Sequence, residues 1–154
     1  LGCVFSGDTF GVSYREFDTA RGPFILPATS PIEFDPPALH RSIDRLVALK
    51  PAAIYPTHFG RIEPVAPLAR ELHAQLDAMV AIGFTARAAG AAGADRHHAL
   101  KAGLRQLYAS RAAQHGWAGD AAELDRLLAI DIELNAQGLG VWLDRGAPAR
   151  AHER

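Results

Sequence analysis

The chain has 154 residues, 49% of them apolar, which is enough for the core of one ordinary domain. A formal charge of −1 leaves no electrostatic footprint for nucleic acid or an anionic membrane surface, and no apolar run reaches the length of a bilayer span. The single cysteine, Cys3, excludes an intrachain disulfide and fits a reducing, cytoplasmic compartment.

The chain opens on Leu1-Gly2-Cys3-Val4-Phe5, which reads as a buried strand ending at a Ser6-Gly7-Asp8 turn. Cys3 then reads as a small buried hydrophobe. A strand of this kind at the first residue, with no signal peptide, predicts further polypeptide upstream. Phe10 to Phe17 reads as a second extended piece, and Gly22-Pro23, Pro27 and Ser30-Pro31 mark loops. Asp35 is a good N-cap with Pro36 at the first helical position. Leu39, Ile43, Leu46 and Val47 then form one apolar stripe, and Pro51 stops the helix. Ala52-Ala53-Ile54-Tyr55 reads as a short buried strand running into Pro56-Thr57-His58-Phe59-Gly60.

Beyond Pro64 the pattern turns helical. Val65, Leu68, Leu72, Leu76, Met79 and Val80 share a face that the spacing predicts to end at Gly83. The Ala/Gly-rich stretch from Ala86 to Ala94 reads as a flexible connection. A helix carrying Leu100, Leu104, Leu107 and Tyr108 follows and ends near Gly116. Asp120 with Glu123 has the form of a capping box. It opens a last helix through Leu124, Leu127, Leu128 and Leu134, predicted to stop at Gly138, with Leu139 to Leu143 packing back on the core.

Two strand ends carry the chemistry. Asp8 follows a strand and lies between Gly7 and Gly11, so it reads either as a turn residue or as a carboxylate on the sheet rim awaiting a cation. His58 follows the second strand, with Gly60 two residues on. It reads either as a hydrogen-bonded rim residue or as a metal ligand. Tyr14 and Arg15 follow the Asp8 turn closely and are weaker candidates for a substrate pocket. His97 and His98 are neighbours on a helix and point apart, which makes a poor chelate. His40 sits on the first helix, His73, His115 and His152 read as surface residues, and Trp117 and Trp142 read as helix-packing anchors.

Ser6-Gly7-Asp8-Thr9-Phe10-Gly11 resembles the segment of metallo-β-lactamase-fold proteins whose Asp bridges two metal ions. Thr57-His58-Phe59-Gly60 resembles the later strand end that supplies the last His ligand of that site. The resemblance implies an α/β fold: half of an αββα sandwich over residues 1–83, a flexible connection over 84–93 and a helical C-terminal extension over 94–154. It also implies a hydrolase in which two divalent ions, Zn2+ or else Fe, activate a water against an ester, thioester, lactone or similar bond of a small molecule. Asp8 would bridge the ions and His58 would complete one of them.

The family's His-x-His-x-Asp-His motif is absent from the sequence. Two ligands do not close a zinc site, so the isolated chain is expected to bind metal weakly and to be inactive. Association with a missing N-terminal half, or a homodimer, would cover the sheet face left open. Two other readings stand beside this one. One is a diiron oxygen-reducing relative, and the other is a truncated protein that binds a partner without catalysis.

Overall fold

The computed structural model describes residues 2–29 and 33–146. Leu1, the Ser30-Pro31 loop and His152 lie outside the described residues. Among those described, the elements are strand β1 (Cys3–Gly7), helix α1 (Pro36–Ala48), strand β2 (Ala53–Pro56) and helices α2 (Val65–Ala88), α3 (Gly93–His115) and α4 (Ala121–Asp144). None of these helices is long and apolar enough to cross a membrane.

The expected half of an αββα sandwich does not form. The described residues hold one two-stranded parallel sheet, β1 beside β2, and the molecule is mostly helical. The physical reason lies in the segment from residue 8 to residue 29. Phe10 to Phe17 is not a strand: 3-10 turns occupy Asp8–Phe10 and Arg15–Phe17, and Gly11 sits between them at φ 70°. Only one bridge, Val12 to Leu26, joins this segment to the loop that follows it. Gly22, Pro23 and Pro27 punctuate that loop, and proline cannot donate to a ladder.

The first strand also differs from expectation. β1 has a neighbour on one side only, so its side chains alternate between exposed and half-buried. Cys3 is exposed rather than buried, and Phe5 is 82% exposed, its ring stacked on Tyr55.

The helices begin and end largely as local chemistry dictates. The Asp35 carboxylate accepts from the Ala38 amide at 2.9 Å, and Asp120 accepts from Glu123 at 2.8 Å. Gly116 closes α3 in the left-handed conformation. Two glycines do not act as stops. α2 runs through Gly83 to Ala88, and α4 runs through Gly138 to Asp144. Gly138 is a packing glycine, since a methyl there would come within 2.6 Å of the Thr29 hydroxyl, whereas a methyl at Gly83 would make ordinary contact with Leu139, Trp142 and Leu143. The connection between α2 and α3 is therefore shorter than the composition implies, and Leu139 to Leu143 are part of α4.

One hydrophobic cluster runs from Phe10 and Leu26 through Leu76, Met79, Leu104 and Leu128 to Leu143. At its centre lie polar groups that satisfy each other. Asn135 is 1% exposed. Its Oδ1 accepts from the Thr29 amide (3.0 Å) and the Thr29 hydroxyl (2.8 Å). Its Nδ2 donates to the Pro27 carbonyl (3.0 Å) and to the Tyr108 hydroxyl (2.7 Å). Tyr108 is fully buried, and burial pushes its hydroxyl pKa up, so it stays protonated.

Truncating Asn135 would strand four buried partners at once. The N135A protein is expected to lose about 2–4 kcal/mol of stability, since each unsatisfied buried group costs about 1–3 kcal/mol. N135D keeps the shape but removes the two donors, and it should also lose stability. Urea unfolding of both variants measures this; an N135A midpoint equal to the parent's would refute the network's role.

Candidate functional site

β1 and β2 pair in parallel with Gly7 opposite Pro56, and the Thr57 amide donates to the Gly7 carbonyl at 3.4 Å. The two chains therefore leave the sheet side by side, at the end where ligands of open parallel sheets bind. Asp8 leaves β1 and His58 follows β2. Both line one cleft of about 270 Å³, together with Tyr14, Phe59, Asp131 and Asn135. This is at the small end for a ligand site.

Local backbone geometry aims these groups. Gly7 has φ 58°, turning the chain out of the strand. Gly11 is confined from the other side, because any side chain there would collide with the Leu26 carbonyl. Past β2 the chain turns back on itself, so that Ile54 and Ile62 bridge. That turn places Phe59 at φ 70° and Gly60 at φ 84°. A left-handed conformation is uncommon for an aromatic residue and costs free energy. Here it sets the Phe59 ring 4.2 Å from the Tyr14 ring, centre to centre.

The far wall comes from α4. Tyr14 donates its hydroxyl to Asp131 Oδ2 at 2.7 Å. Burial raises the Asp131 carboxyl above its usual range, while the Tyr14 hydrogen bond and the His58 charge pull it the other way. Burial first, and then Asp131, raise the Tyr14 hydroxyl pKa, so the proton of this bond stays on the tyrosine.

Among the sequence candidates, Asp8, His58 and Tyr14 meet at this cleft. Arg15 does not line it. The Arg15 guanidinium turns back to the carbonyl and hydroxyl of Ser13 and pairs with Asp18 at 3.2 Å. Asp131 and Asn135 of α4 line the cleft as well, beyond the sequence candidates. Asn135 had a legible signal, a polar residue on the apolar stripe of α4. Asp131 had none, because its partner Tyr14 lies 117 residues away.

No group of three or more His, Cys, Asp or Glu side chains among the described residues is placed to hold a metal ion. Asp8 and His58 are thus two candidate ligands, short of a closed site. By themselves the described residues do not fit a metal centre. A larger, more basic cleft of about 370 Å³ lies at Arg21, Arg70, Arg111 and His115. Two of its arginines are already engaged, Arg111 with Glu71 and Arg21 with the Gln114 carbonyl. The chain matches no family model, no curated protein and no solved structure.

The Tyr14–Asp131 bond has a pH signature. Because burial holds the Asp131 carboxyl above its ordinary 3.8, folding favours its protonated form. That contribution is present below the ordinary carboxyl pKa and is lost as pH rises through the folded value. Y14F removes a donor to the carboxylate and raises the folded value further. It is expected to cost about 1–2 kcal/mol at neutral pH and less in acid. D131N keeps an acceptor for Tyr14 without a buried charge, and it should melt at or above the parent temperature at neutral pH. Thermal melts across pH check both; a Y14F deficit that grows in acid would contradict the assignment.

Proposed function

We propose that this chain contributes part of the active site of a metal-dependent hydrolase, with Asp8 and His58 as two of its metal ligands. The observation that carries the reading is their convergence. Two short motifs, whose Asp8 and His58 have 49 residues between them, end adjacent parallel strands and line one cleft. A carboxylate and an imidazole are both ordinary ligands of zinc. Bound divalent ions would supply an activated water and polarise the bond to be cleaved.

The chain's own groups have separate tasks. Phe59, Ile130 and Leu134 give the cleft an apolar wall for a small-molecule substrate. Asp131, held by Tyr14, offers a fixed acceptor within it. The further metal ligands would come from outside the described residues. The exposed face of β1 supports this, because Phe5 lies open on the strand that delivers Asp8. A large aromatic side chain in that position is suited to packing against additional polypeptide.

Zinc titration of the chain, followed by amide NMR, tests the reading. Shifts are expected at Asp8 to Gly11 and at Thr57 to Gly60, with the weak affinity of a two-ligand site. D8A and H58A should each abolish them, and the chain alone should not turn over ester or thioester substrates. Hydrolysis that survives D8A, or zinc shifts that leave both segments unmoved, would overturn the proposal.

A further inference from the structure

Gln75 breaks the apolar pattern of α2. It shares the buried face of the helix with Leu72 and Leu76 and is itself only 1% exposed. Half of its amide is accounted for, because Nε2 donates to the Ile25 carbonyl at 2.8 Å. The other half is not: Oε1 is buried and has no hydrogen-bond partner among the described residues. Turning the amide over brings no relief, since Oε1 would then face the Ile25 carbonyl, acceptor against acceptor. A buried acceptor left unpaired is costly, and a leucine in this place would carry no such cost.

The residue with the unpaired oxygen lines the basic cleft of about 370 Å³. That cleft shares no lining residue with the cleft of Asp8 and His58. Its inner wall is apolar, with Phe24, Ile25 and Leu68 buried beside Gln75. Its charged groups are Arg21, Arg70, Arg111 and Glu71. Three arginines against one glutamate leave a formal charge of +2, with His115 neutral. Donors remain on these arginines. Arg111 Nη1 lies 3.6 Å from Glu71 Oε2, too far for a hydrogen bond. Arg21 gives one N–H to the Gln114 carbonyl, and a guanidinium has five.

We infer that this cleft binds a small phosphate monoester whose alcohol portion carries a further hydroxyl or amino group. The dianionic phosphate matches the charge of +2, and the guanidinium fork suits phosphate oxygens. The hydroxyl or amine supplies the hydrogen that Gln75 Oε1 lacks, in the buried part of the cleft. The volume lies in the lower part of the range of small-molecule sites, which fits a molecule of this size. Simpler occupants satisfy only half of the lining. Sulfate matches the arginines but has no hydrogen to offer the amide. An ordered water pairs the amide and leaves the arginines unused.

The test uses the whole chain and two probes, glycerol 3-phosphate and propyl phosphate. They share a charge and a three-carbon chain, and only the first has hydroxyls. Binding is followed by NMR, with the Gln75 side-chain amide as local reporter. Glycerol 3-phosphate should bind about 10-fold more tightly, the effect of one hydrogen bond to an otherwise unpaired acceptor. R70A and R111A should each weaken both esters by about 10-fold. Q75M should lower glycerol 3-phosphate to the affinity of propyl phosphate and leave propyl phosphate unchanged. Circular dichroism confirms that Q75M folds, and the two arginine variants carry the test if it does not. Equal affinity of the parent chain for the two esters would overturn the site. So would binding that R70A and R111A leave unaltered, or no binding of either ester.

Discussion

The position of the cleft depends on one buried amide. Asn135 is surrounded by apolar side chains, where an unpaired polar atom costs about 1–3 kcal/mol. Every hydrogen-bonding atom of its side chain is used, and its partners come from two places: the Pro27–Thr29 loop and α3 through Tyr108. A network of this kind is stable in one arrangement only, because shifting any member strands the others. The loop cannot slide along α4 without breaking its three bonds to Asn135. Gly138 makes the arrangement sterically feasible, since it leaves room for the Thr29 side chain one turn further on.

The clamped loop forms part of the cleft wall. Ala28 and Thr29 line it on one side, and α4 presents Asp131 and Leu134 beside them. The opposite side is set by the sheet, where parallel pairing brings the Asp8 and His58 strand ends together. Helix and sheet meet through Tyr14, which touches Phe59 with its ring and Asp131 with its hydroxyl. Asp131 is costly here: burial opposes its charge, and an amide of the same shape would fit with less penalty. A carboxylate kept against its own stability preference is a common mark of a working site.

Much of the local structure was legible in the sequence because it rests on near-neighbour chemistry. The Asp35 and Asp120 caps, the Gly116 terminus and the apolar stripes of all four helices follow from spacings of a few residues. The expected αββα layering failed because it rested on two motifs rather than on strands that could be counted. Cys3 and Phe5 were misjudged because an apolar strand was assumed to be covered on both faces, and burial depends on how many strands the sheet holds. Gly83 and Gly138 were misread as stops because a glycine that ends a helix and one that admits a neighbouring side chain look alike in sequence. His40 and His73 read as unconnected helix and surface residues for a related reason. They are 33 residues apart on two helices, and only the packing of those helices brings their ring edges together.

The two histidine-bearing sites differ in what holds them in place. His40 and His73 each have a carboxylate on the outer nitrogen, supplied by the opposite helix, and the scaffold beneath them is the α1–α2 contact itself. Every one of these partners is within the chain. Asp8 and His58 are presented differently. They stand on turns at the open end of a two-stranded sheet, beside a strand whose outer face is uncovered. Neither makes a side-chain hydrogen bond comparable to those that fix His40 and His73. Side chains without such partners must be ordered by whatever binds them, which costs conformational entropy. The helix-pair histidines find their partners within the chain, while Asp8 and His58 stand at the cleft without such support.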